Sequence, residues 1–342
     1  MKYASGRRRG KLFGQPPKRP PFLPISLVLL ALIILVFALV PTSVLTPEIL
    51  QPVGLKVPTA TASATPLPAP TRVHGGHIVF TCTRNEINQI CFINADGTGF
   101  KQLTDVTTNA YYPAIAPDGE SVVYAENKYD NFDIYLLVLS NSKLFQLTSN
   151  VGNSFSPDFS PDGKQIVFVN KAADGPSSLW VMGRTGENPR LLYAGPNTIV
   201  GAAWSPDGKT IAFAMAVNLL YAYEIFLLDV NTPTSPRQLS HDLQGIGGSL
   251  SWSRDSKDLL IFAGPVDARE IYRLDAATGD ATQMTFGGNN ASASYSPDGQ
   301  WIVYNSLRND NQADLFIMRA DGHQTRQLTA YPEPDWQPQW GP

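Results

Sequence analysis

The sequence predicts an all-β protein, a six-bladed β-propeller preceded by one transmembrane helix and a Pro/Thr/Ala-rich linker. Three observations lead to this prediction: an uncharged apolar run near the N-terminus, a Pro- and Thr-rich stretch after it, and a turn signature that recurs up to the C-terminus. We assign residues 1–20 to a basic tail, 21–45 to the helix, 46–75 to the linker and 76–342 to the propeller.

The apolar run has the length and flanking charges of a membrane anchor. No charged residue stands between Arg19 and Glu48, and residues 24–40 are almost wholly Leu, Ile, Val, Ala and Phe. Seventeen helical residues span roughly 26 Å, and extension toward Leu45 would cover a hydrocarbon core of about 30 Å. The basic residues before the run favour a cytoplasmic N-terminus and an extracytoplasmic propeller in the cell membrane. A cleaved signal peptide, which would give a secreted protein, is the alternative.

The linker is recognised by its composition. From residue 41 to residue 73 the chain is dominated by Pro, Thr, Ala and Ser. Such a segment buries too little apolar surface to order itself, and its prolines favour extended backbone. We expect it to act as a spacer between the membrane and the propeller.

The distribution of charge argues against a nucleic-acid partner. Seven of the 26 Lys and Arg residues stand within residues 1–20, so the rest of the chain holds 19 basic residues against 29 acidic ones. Neutralising phosphates requires clustered Lys and Arg, and no basic stripe follows residue 20. We therefore expect no nucleic acid among the partners.

The recurring turn has the form Ser-Pro-Asp-Gly, with Ala first in the copy at 116 and Ser-Arg-Asp-Ser at 253, and an aromatic residue precedes every copy except the one at 116. Its copies occupy residues 116–119, 160–163, 205–208, 253–256 and 296–299, and Gly341-Pro342 aligns with the start of a sixth. The spacings between copies are 44, 45, 48, 43 and 45 residues. Such a period is typical of a propeller or a solenoid.

Each period contains four strand-like segments. An apolar run with alternation follows the turn, as at 210–214, and a second run such as 224–228 or 314–317 follows a variable loop. An Asp-Gly turn then leads to a segment ending in Gln-Leu-Thr or a close variant, as at 102–104 and 146–148. Four short antiparallel strands make one propeller blade.

The two ends of the repeat region predict a closed ring. The first copy begins at His77 with the second strand of a blade, and residues 335–342 supply a first strand with no second strand after it. We expect these fragments to complete blade 1, with the C-terminal strand closing it, because closure removes exposed sheet edges.

This order of motifs resembles the TolB-like β-propeller repeat family over residues 77–342. The resemblance implies the six-bladed ring and is far less specific for function. The protein for which the family is named has an extra N-terminal α/β domain and is free in the periplasm. This chain has the apolar run and linker instead.

The two cysteines, Cys82 and Cys91, both fall in blade 1. An extracytoplasmic domain permits a disulfide across the hairpin. Two buried free thiols are the alternative, since a separation of nine residues does not fix which way the side chains face.

Catalytic and metal-binding motifs were sought without success. Residues 247–251 lack the final glycine of a Gly-x-Ser-x-Gly elbow, and the four histidines do not occupy equivalent blade positions. The repeated Asp of Ser-Pro-Asp-Gly is explained by turn chemistry, without calcium. We therefore expect no metal, no cofactor and no catalytic residue.

Candidate ligand-binding residues lie on the face formed by the loops before each first strand and between the second and third strands, where the repeats differ most. We call this the variable face. Aromatic, amide and carboxylate side chains there suit peptides or sugars, since rings pack on flat surfaces and amides form hydrogen bonds. The candidates are Asn109, Tyr111, Tyr112, Tyr129, Asp130, Asn153, Phe155, His241, Asp242, Asn289, Asn290, Arg308, Asp310, Glu333, Asp335 and Trp336.

These features predict a non-enzymatic binding or scaffold module at the cell envelope, whose partner is a protein or a cell-surface glycan. The alternative is a carbohydrate-active enzyme, lyase-like or hydrolase-like, that uses His241 and Asp242 on the variable face.

Overall fold

The computed structural model describes residues 75–218, 222–309 and 312–342. These residues form 24 strands arranged as six four-stranded antiparallel sheets. None of them belongs to a helix long and apolar enough to span a bilayer. The predicted basic tail, the transmembrane helix and all but the last residue of the linker lie outside the described residues.

The six sheets are the predicted blades, each built from consecutive strands except blade 1. The strands of blades 1 to 3 are β1 (His77–Arg84), β2 (Ile87–Asn94), β3 (Lys101–Gln102), β4 (Asn109–Ile115), β5 (Ser121–Lys128), β6 (Asn131–Val138), β7 (Lys143–Gln146), β8 (Asn153–Phe159), β9 (Gln165–Lys171), β10 (Ser178–Gly183) and β11 (Arg190–Tyr193). Those of blades 4 to 6 are β12 (Ile199–Trp204), β13 (Thr210–Ala216), β14 (Tyr223–Asp229), β15 (Arg237–Gln238), β16 (Ser251–Trp252), β17 (Asp258–Ala263), β18 (Glu270–Asp275), β19 (Ala281–Gln283), β20 (Asn290–Tyr295), β21 (Trp301–Ser306), β22 (Asp314–Arg319) and β23 (Arg326–Gln327). The last strand, β24 (Asp335–Gly341), returns to blade 1.

Blade 1 is closed by the C-terminal strand, which confirms the predicted six-bladed ring. β24 lies beside β1 in the sheet order β24-β1-β2-β3. The pairing is antiparallel, with His77 opposite Gly341 and Cys82 opposite Asp335. The first and last described strands therefore share one sheet.

The Ser-Pro-Asp-Gly signature is a hydrogen-bonded turn between the first two strands of a blade. In the blade 4 copy, Ser205 Oγ donates to Asp207 Oδ1 over 2.6 Å and accepts from the backbone N–H of Thr210 over 2.9 Å. Asp207 Oδ1 also accepts from the backbone N–H of Lys209, and the Ser205 hydroxyl holds the pKa of Asp207 below its usual range. The same Ser–Asp bond recurs at residues 160, 253 and 296, so the repeated Asp is turn chemistry as predicted.

The Gln-Leu-Thr motif is explained by a second repeated contact. In blade 5, Thr285 Oγ1 accepts from the backbone N–H of Ile271 and donates to Glu270 Oε2 over 2.6 Å. Blade 2 uses Thr148 with Asp133 in the same way. The motif thus fastens the outermost strand of a blade to the start of its third strand.

Apolar residues fill the spaces between neighbouring blades. Trp204 packs with Val167 and Val169 of blade 3, and Trp340 packs with Trp301 of blade 6. The indole N–H of Trp252 donates to the backbone oxygen of Ala203 in blade 4 over 3.1 Å. The tryptophans before the turns are therefore wedges between blades, as the sequence indicated.

Most inner strands carry a bulge partway along their length. Register shifts occur in blades 1, 2, 3, 4 and 6, where Gln337, Tyr112, Ser156, Gly201 and Ser292 have positive φ. At Gly201 the segment that leads into the next inner strand leaves no room for a side chain, because an added Cβ would lie 1.8 Å from the backbone oxygen of Gly248. A bulge bends its strand and leaves one residue unpaired.

Neighbouring inner strands are tied by one recurring hydrogen bond near the axis. At four of the six junctions, a side chain two residues before the turn accepts from the backbone N–H of the aromatic or apolar residue in the next blade. The bonds join Gln339 to Ile115, Asp158 to Trp204, Ser251 to Tyr295 and Ser294 to Trp340 over 2.8 to 3.1 Å. The equivalent residue in blade 2, Ala114, has no acceptor, and Asp158 also accepts from its own neighbour Phe159 at that junction.

The two cysteines are bonded in the structure. Cys82 and Cys91 lie on β1 and β2 with their Cα atoms 5.8 Å apart, and neither is exposed. Both pack in the cluster between blades 6 and 1, beside Trp301 and Trp340. The bond therefore lies within the hairpin to which β24 attaches.

We expect loss of this bond to destabilise the propeller. In a variant with Cys82→Ala and Cys91→Ala, the free energy of unfolding should fall by about 2–3 kcal/mol, because the unfolded chain is no longer restrained over this loop. Urea denaturation with and without reductant measures the effect. Reductant should shift the wild-type midpoint and leave that of the double variant in place; an unshifted wild type would contradict the prediction.

The carboxyl of Asp158 should make stability depend on pH. Burial raises its pKa to about 6, while the N–H groups of Trp204 and Phe159 oppose the rise. The folded state therefore holds this proton more tightly than the unfolded chain, and the stabilisation present below about pH 4 is lost as pH rises through about 6. The free energy of unfolding of wild type minus that of Asp158→Asn should fall over this range.

Asp207→Asn supplies the matched control for that series. The pKa of Asp207 is lowered by the Ser205 hydroxyl, so its contribution is lost as pH falls below about 4 and its slope has the opposite sign. Equal slopes for the two variants, measured by urea denaturation at several pH values, would refute the role given to Asp158.

Candidate functional site

The centre of the variable face is a cavity on the ring axis. It measures about 280 Å³ and is lined by the inner-strand segments of all six blades, including the bulged residues Tyr112, Ser156, Ser292 and Gln337. A second axial cavity, of about 300 Å³, lies toward the Ser-Pro-Asp-Gly turns. Asp158 lines both cavities and stands between them.

An aromatic cluster lies at one side of the axial cavity. Tyr111 and Tyr112 of blade 2 contact Phe132 and Phe155, with ring centroids 5.9 to 6.3 Å apart. All four side chains are half-buried. Burial raises the pKa of Tyr112, so its phenol stays neutral at physiological pH. The structure thus brings together three of the predicted residues and adds Phe132.

The variable face also carries a rim of exposed apolar side chains, which we call the apolar rim. Its members are Tyr129, Val151, Val217, Val266, Phe286 and Trp336. Tyr129 is fully exposed at the tip of the β5–β6 hairpin. The other large apolar side chains exposed in the described part of the chain lie on or beside the outermost strands: Phe100, Leu144, Phe145 and Leu191.

Three predicted asparagines hold neighbouring blades together. Asn109, Asn153 and Asn289 each use the side-chain oxygen to accept a backbone N–H from the third strand, or the residue before it, in the preceding blade. The oxygens of these amides are therefore committed to the fold.

Two predicted residues are buried in polar contacts of the fold. Asn290 donates to Glu270 Oε2 over 2.8 Å and accepts, at 3.5 Å, from the exposed side chain of Arg308. Asp335 is fully buried and pairs with Arg84 over 3.2 Å. Burial raises the pKa of Asp335 to about 6, which the Arg84 guanidinium opposes. We therefore leave Asn290 and Asp335 out of the surface offered to a partner.

The remaining predicted residues do not gather around the axial cavity. His241 and Asp242 are exposed in the connection after blade 4, where His241 Nδ1 lies 3.2 Å from Gln238 Nε2. Asp130 is exposed beside Tyr129, and Glu333 accepts from the N–H of Glu86. Asp310 lies outside the described residues.

No set of His, Cys, Asp and Glu within residues 75–218, 222–309 and 312–342 is grouped to hold a metal ion. Disulfide bonding occupies both cysteines. The half-buried aromatic cluster and the exposed side chains of the variable face offer apolar surface and hydrogen-bonding groups to a ligand.

Sequence reasoning missed Phe132, Asp158 and Arg269. Asp158 and Arg269 had a signal in the comparison of the repeats. Asp158 is a carboxylate at the position two residues before the turn, where the other blades have Ala, Ser or Gln. Arg269 precedes the acidic or polar residue that begins the core of the third strand, and no other blade has a charged residue at that position. These residues were informative because their residue type differs from that of the equivalent positions in the other blades. The prediction had considered only whether a loop residue was polar or aromatic.

A further cavity, off the ring axis, opens on the variable face between blades 5, 6 and 1 and has a volume of about 540 Å³. It is lined by Asn289 and Trp336, both predicted, and by Arg269. Of the predicted residues, Tyr111, Tyr112 and Phe155 therefore lie in the cluster beside the axis, and Asn289 and Trp336 line this off-axis cavity.

Comparison with known proteins agrees with this architecture. The TolB β-propeller domain matches residues 169–342. Over 139 residues the chain is 32% identical to an uncharacterized protein of Agrobacterium fabrum, which covers 40% of this chain and 46% of that protein. Over 153 residues it is 29% identical to the Tol-Pal system protein TolB of Wolinella succinogenes, covering 43% and 35%. The chain thus matches less than half the length of these curated relatives.

A solved structure shares the fold. The crystal structure of TolB from Acinetobacter baumannii superimposes with a TM-score of 0.68 at 24% sequence identity, covering 78% of this chain and 67% of that one. At this identity the likeness shows the architecture alone. The family match extends over slightly more than half of the chain. This chain belongs to the TolB β-propeller domain family.

Proposed function

We propose that this protein is a non-enzymatic, membrane-anchored module that binds a protein partner outside the cytoplasm through its variable face. The observation that carries the proposal is the apolar rim. Six exposed apolar side chains surround the face on which the repeats differ most, around a cavity and a half-buried aromatic cluster.

The chemistry of the rim favours a protein partner. Aromatic side chains are enriched at protein interfaces, because they bury a large area at small cost in conformational entropy. The loops that bear them stand on a scaffold tied by inter-blade hydrogen bonds, so little ordering is required on binding. A relative named as a Tol-Pal system protein supports a place in the cell envelope.

The sequence supports the anchor. Residues 24–40 are apolar and uncharged, basic residues precede them, and a Pro- and Thr-rich segment separates them from the propeller. This arrangement would hold the variable face away from the bilayer, with the N-terminus in the cytoplasm.

We do not extend the proposal to catalysis. The residues that suggested a carbohydrate-active enzyme, His241 and Asp242, do not line the axial cavity. Among the described residues, no ion pair or hydrogen bond joins His241 or Asp242 to a pair of carboxylates.

Removing the apolar surface at one side of the rim should abolish partner capture. With the variant Tyr129→Ser and Val151→Ser, we expect the amount of cross-linked partner recovered from envelope preparations to fall at least about tenfold. The reason is that a few anchor residues contribute most of the binding energy of an interface. Quantitative mass spectrometry of the captured proteins measures the loss.

The matched control is Leu144→Ser with Leu191→Ser. These side chains have comparable exposure to Val151, 45% and 50% against 53%, but lie on the outermost strands of blades 2 and 3. Capture should survive in this variant. Equal loss in both variants would show that general surface stickiness, and not the rim, produced the captured set.

The anchor is tested by fractionation of cells that express the full chain. The protein should stay with the membrane after alkaline carbonate washing, and protease added outside the cytoplasmic membrane should reach the propeller. Replacing Leu30 and Ile34 by Arg should release it from the membrane, because each charge at the centre of the span costs about 2.5–3.5 kcal/mol. Recovery of wild type in the soluble fraction as a shortened chain would instead establish signal cleavage.

A further inference from the structure

The off-axis cavity between blades 5, 6 and 1 has the features of a built ligand site. Its volume of about 540 Å³ lies within the range of small-molecule sites. Blade 5 contributes Phe262 and Arg269, blade 6 contributes Asn289 and Asn305, and blade 1 contributes Trp336. Of the apolar rim, only Trp336 lines this cavity.

Arg269 is a cation without a partner in the fold. Its guanidinium lies over the Phe262 ring, 5.5 Å from the centroid, and Nε is buried without any hydrogen-bond acceptor. None of the ion pairs in the described part of the chain includes it. A buried N–H that finds no acceptor costs free energy, so a native structure that retains one calls for an external acceptor.

The amides beside Arg269 offer donors and not acceptors. Asn289 Oδ1 accepts from the backbone N–H of Arg269, and Asn305 Oδ1 accepts from that of Gln337, both over 3.3 Å. Each oxygen is thereby turned toward the protein backbone, and neither amide nitrogen donates to an acceptor among the residues that the structure describes. Asn305 is only 8% exposed. The cavity therefore presents an excess of free N–H groups.

The neighbouring carboxylates do not cancel this excess. Glu270 accepts from Thr285, Asn290 and the backbone N–H of Gly287, and Asp335 Oδ1 pairs with Arg84. The second carboxylate oxygen of Asp335 is buried, and neither Asp335 nor the buried Asp314 lines the cavity. Asp267 is exposed two residues before Arg269 and forms no ion pair with it. An anionic group that entered the cavity would meet a cation and two amide donors.

An aromatic surface completes the site. Trp336 is 36% exposed, and the ring of Phe262 lies under the guanidinium. The flat indole offers an apolar face against which a ring bearing C–H groups can pack. The guanidinium is suited to a carboxylate, which it can bind through two parallel hydrogen bonds.

We propose that this cavity binds an acidic saccharide, a uronic-acid unit whose carboxylate pairs with Arg269 while its ring packs on Trp336. The hydroxyl and ring oxygens accept from Asn289 and Asn305. The free donors are side-chain groups, whereas an extended peptide is held chiefly through main-chain hydrogen bonds to a strand edge. The arrangement thus favours a sugar over a peptide carboxylate.

The test uses the full chain in detergent and a set of four probes. These are a disaccharide that contains glucuronic acid, its methyl ester, a neutral disaccharide of the same ring type, and an acetylated dipeptide with a free C-terminal carboxylate. Binding is measured by calorimetry and by tryptophan fluorescence. The acidic disaccharide should bind at least about tenfold more tightly than its ester or the neutral sugar, since removal of a charged hydrogen bond costs about 1.5–3 kcal/mol.

The variants locate the binding. Arg269→Gln should weaken the acidic disaccharide about tenfold or more, Arg269→Lys should weaken it less, and Trp336→Phe should remove most of the fluorescence change. Arg190→Gln, which removes an exposed charge from an outermost strand, should leave binding unchanged. Thermal melts of each variant establish that the propeller is folded.

The proposal is overturned by any of four results. They are equal binding of acid and ester, unchanged affinity in a folded Arg269→Gln variant, binding of the dipeptide as tight as that of the sugar, or no binding of any probe in the millimolar range. Tyr129 and Val151, the residues changed in the capture test, do not line this cavity, so the two proposals fail separately.

Discussion

The propeller depends on the contacts that join each inner strand to the next blade. Four of the six junctions are made by one side-chain acceptor that receives a backbone N–H from the neighbouring blade, at a position two residues before the turn. Because these strands lie nearest the axis, the bonds hold the ring where its blades are closest. Trp204, Trp252 and Trp340 fill the wider space behind them, so polar contacts near the axis and apolar wedges outside it act together.

This construction separates stability from recognition. The turn between the first two strands and the Thr contact of the outer strand repeat from blade to blade, and both are internally satisfied. The variable face needs neither contact, so its side chains are free to differ. Tyr129 is fully exposed and the buried Nε of Arg269 has no hydrogen-bond acceptor, two features that the scaffold does not require. Residues that lower the stability of the folded state without a structural role are the best candidates for ligand contacts.

The sequence predicted the fold because its repeats are local. Ser205, Asp207 and Gly208 bond to one another, so their spacing alone defines the turn, and the half-blades at His77 and Asp335 define closure. The site was harder because the same residue types serve both purposes. Asn109 and Asn153 looked like loop ligands but fasten blades, Asp335 is buried against Arg84, and Arg269 matters through contacts from three blades that no spacing in the chain expresses.

Closure by β24 also sets an order of events. His77 and Gly341 pair across the whole length of the propeller, so β1 has one unpaired edge until the rest of the domain has been made. Contacts between residues so distant in sequence form slowly, and an unpaired edge is a template for wrong pairing. The bond between Cys82 and Cys91 joins β1 to β2 and involves no residue of β24, so it can form as soon as that hairpin exists in an oxidising compartment. The β1–β2 hairpin can therefore be covalently linked before β24 pairs with β1.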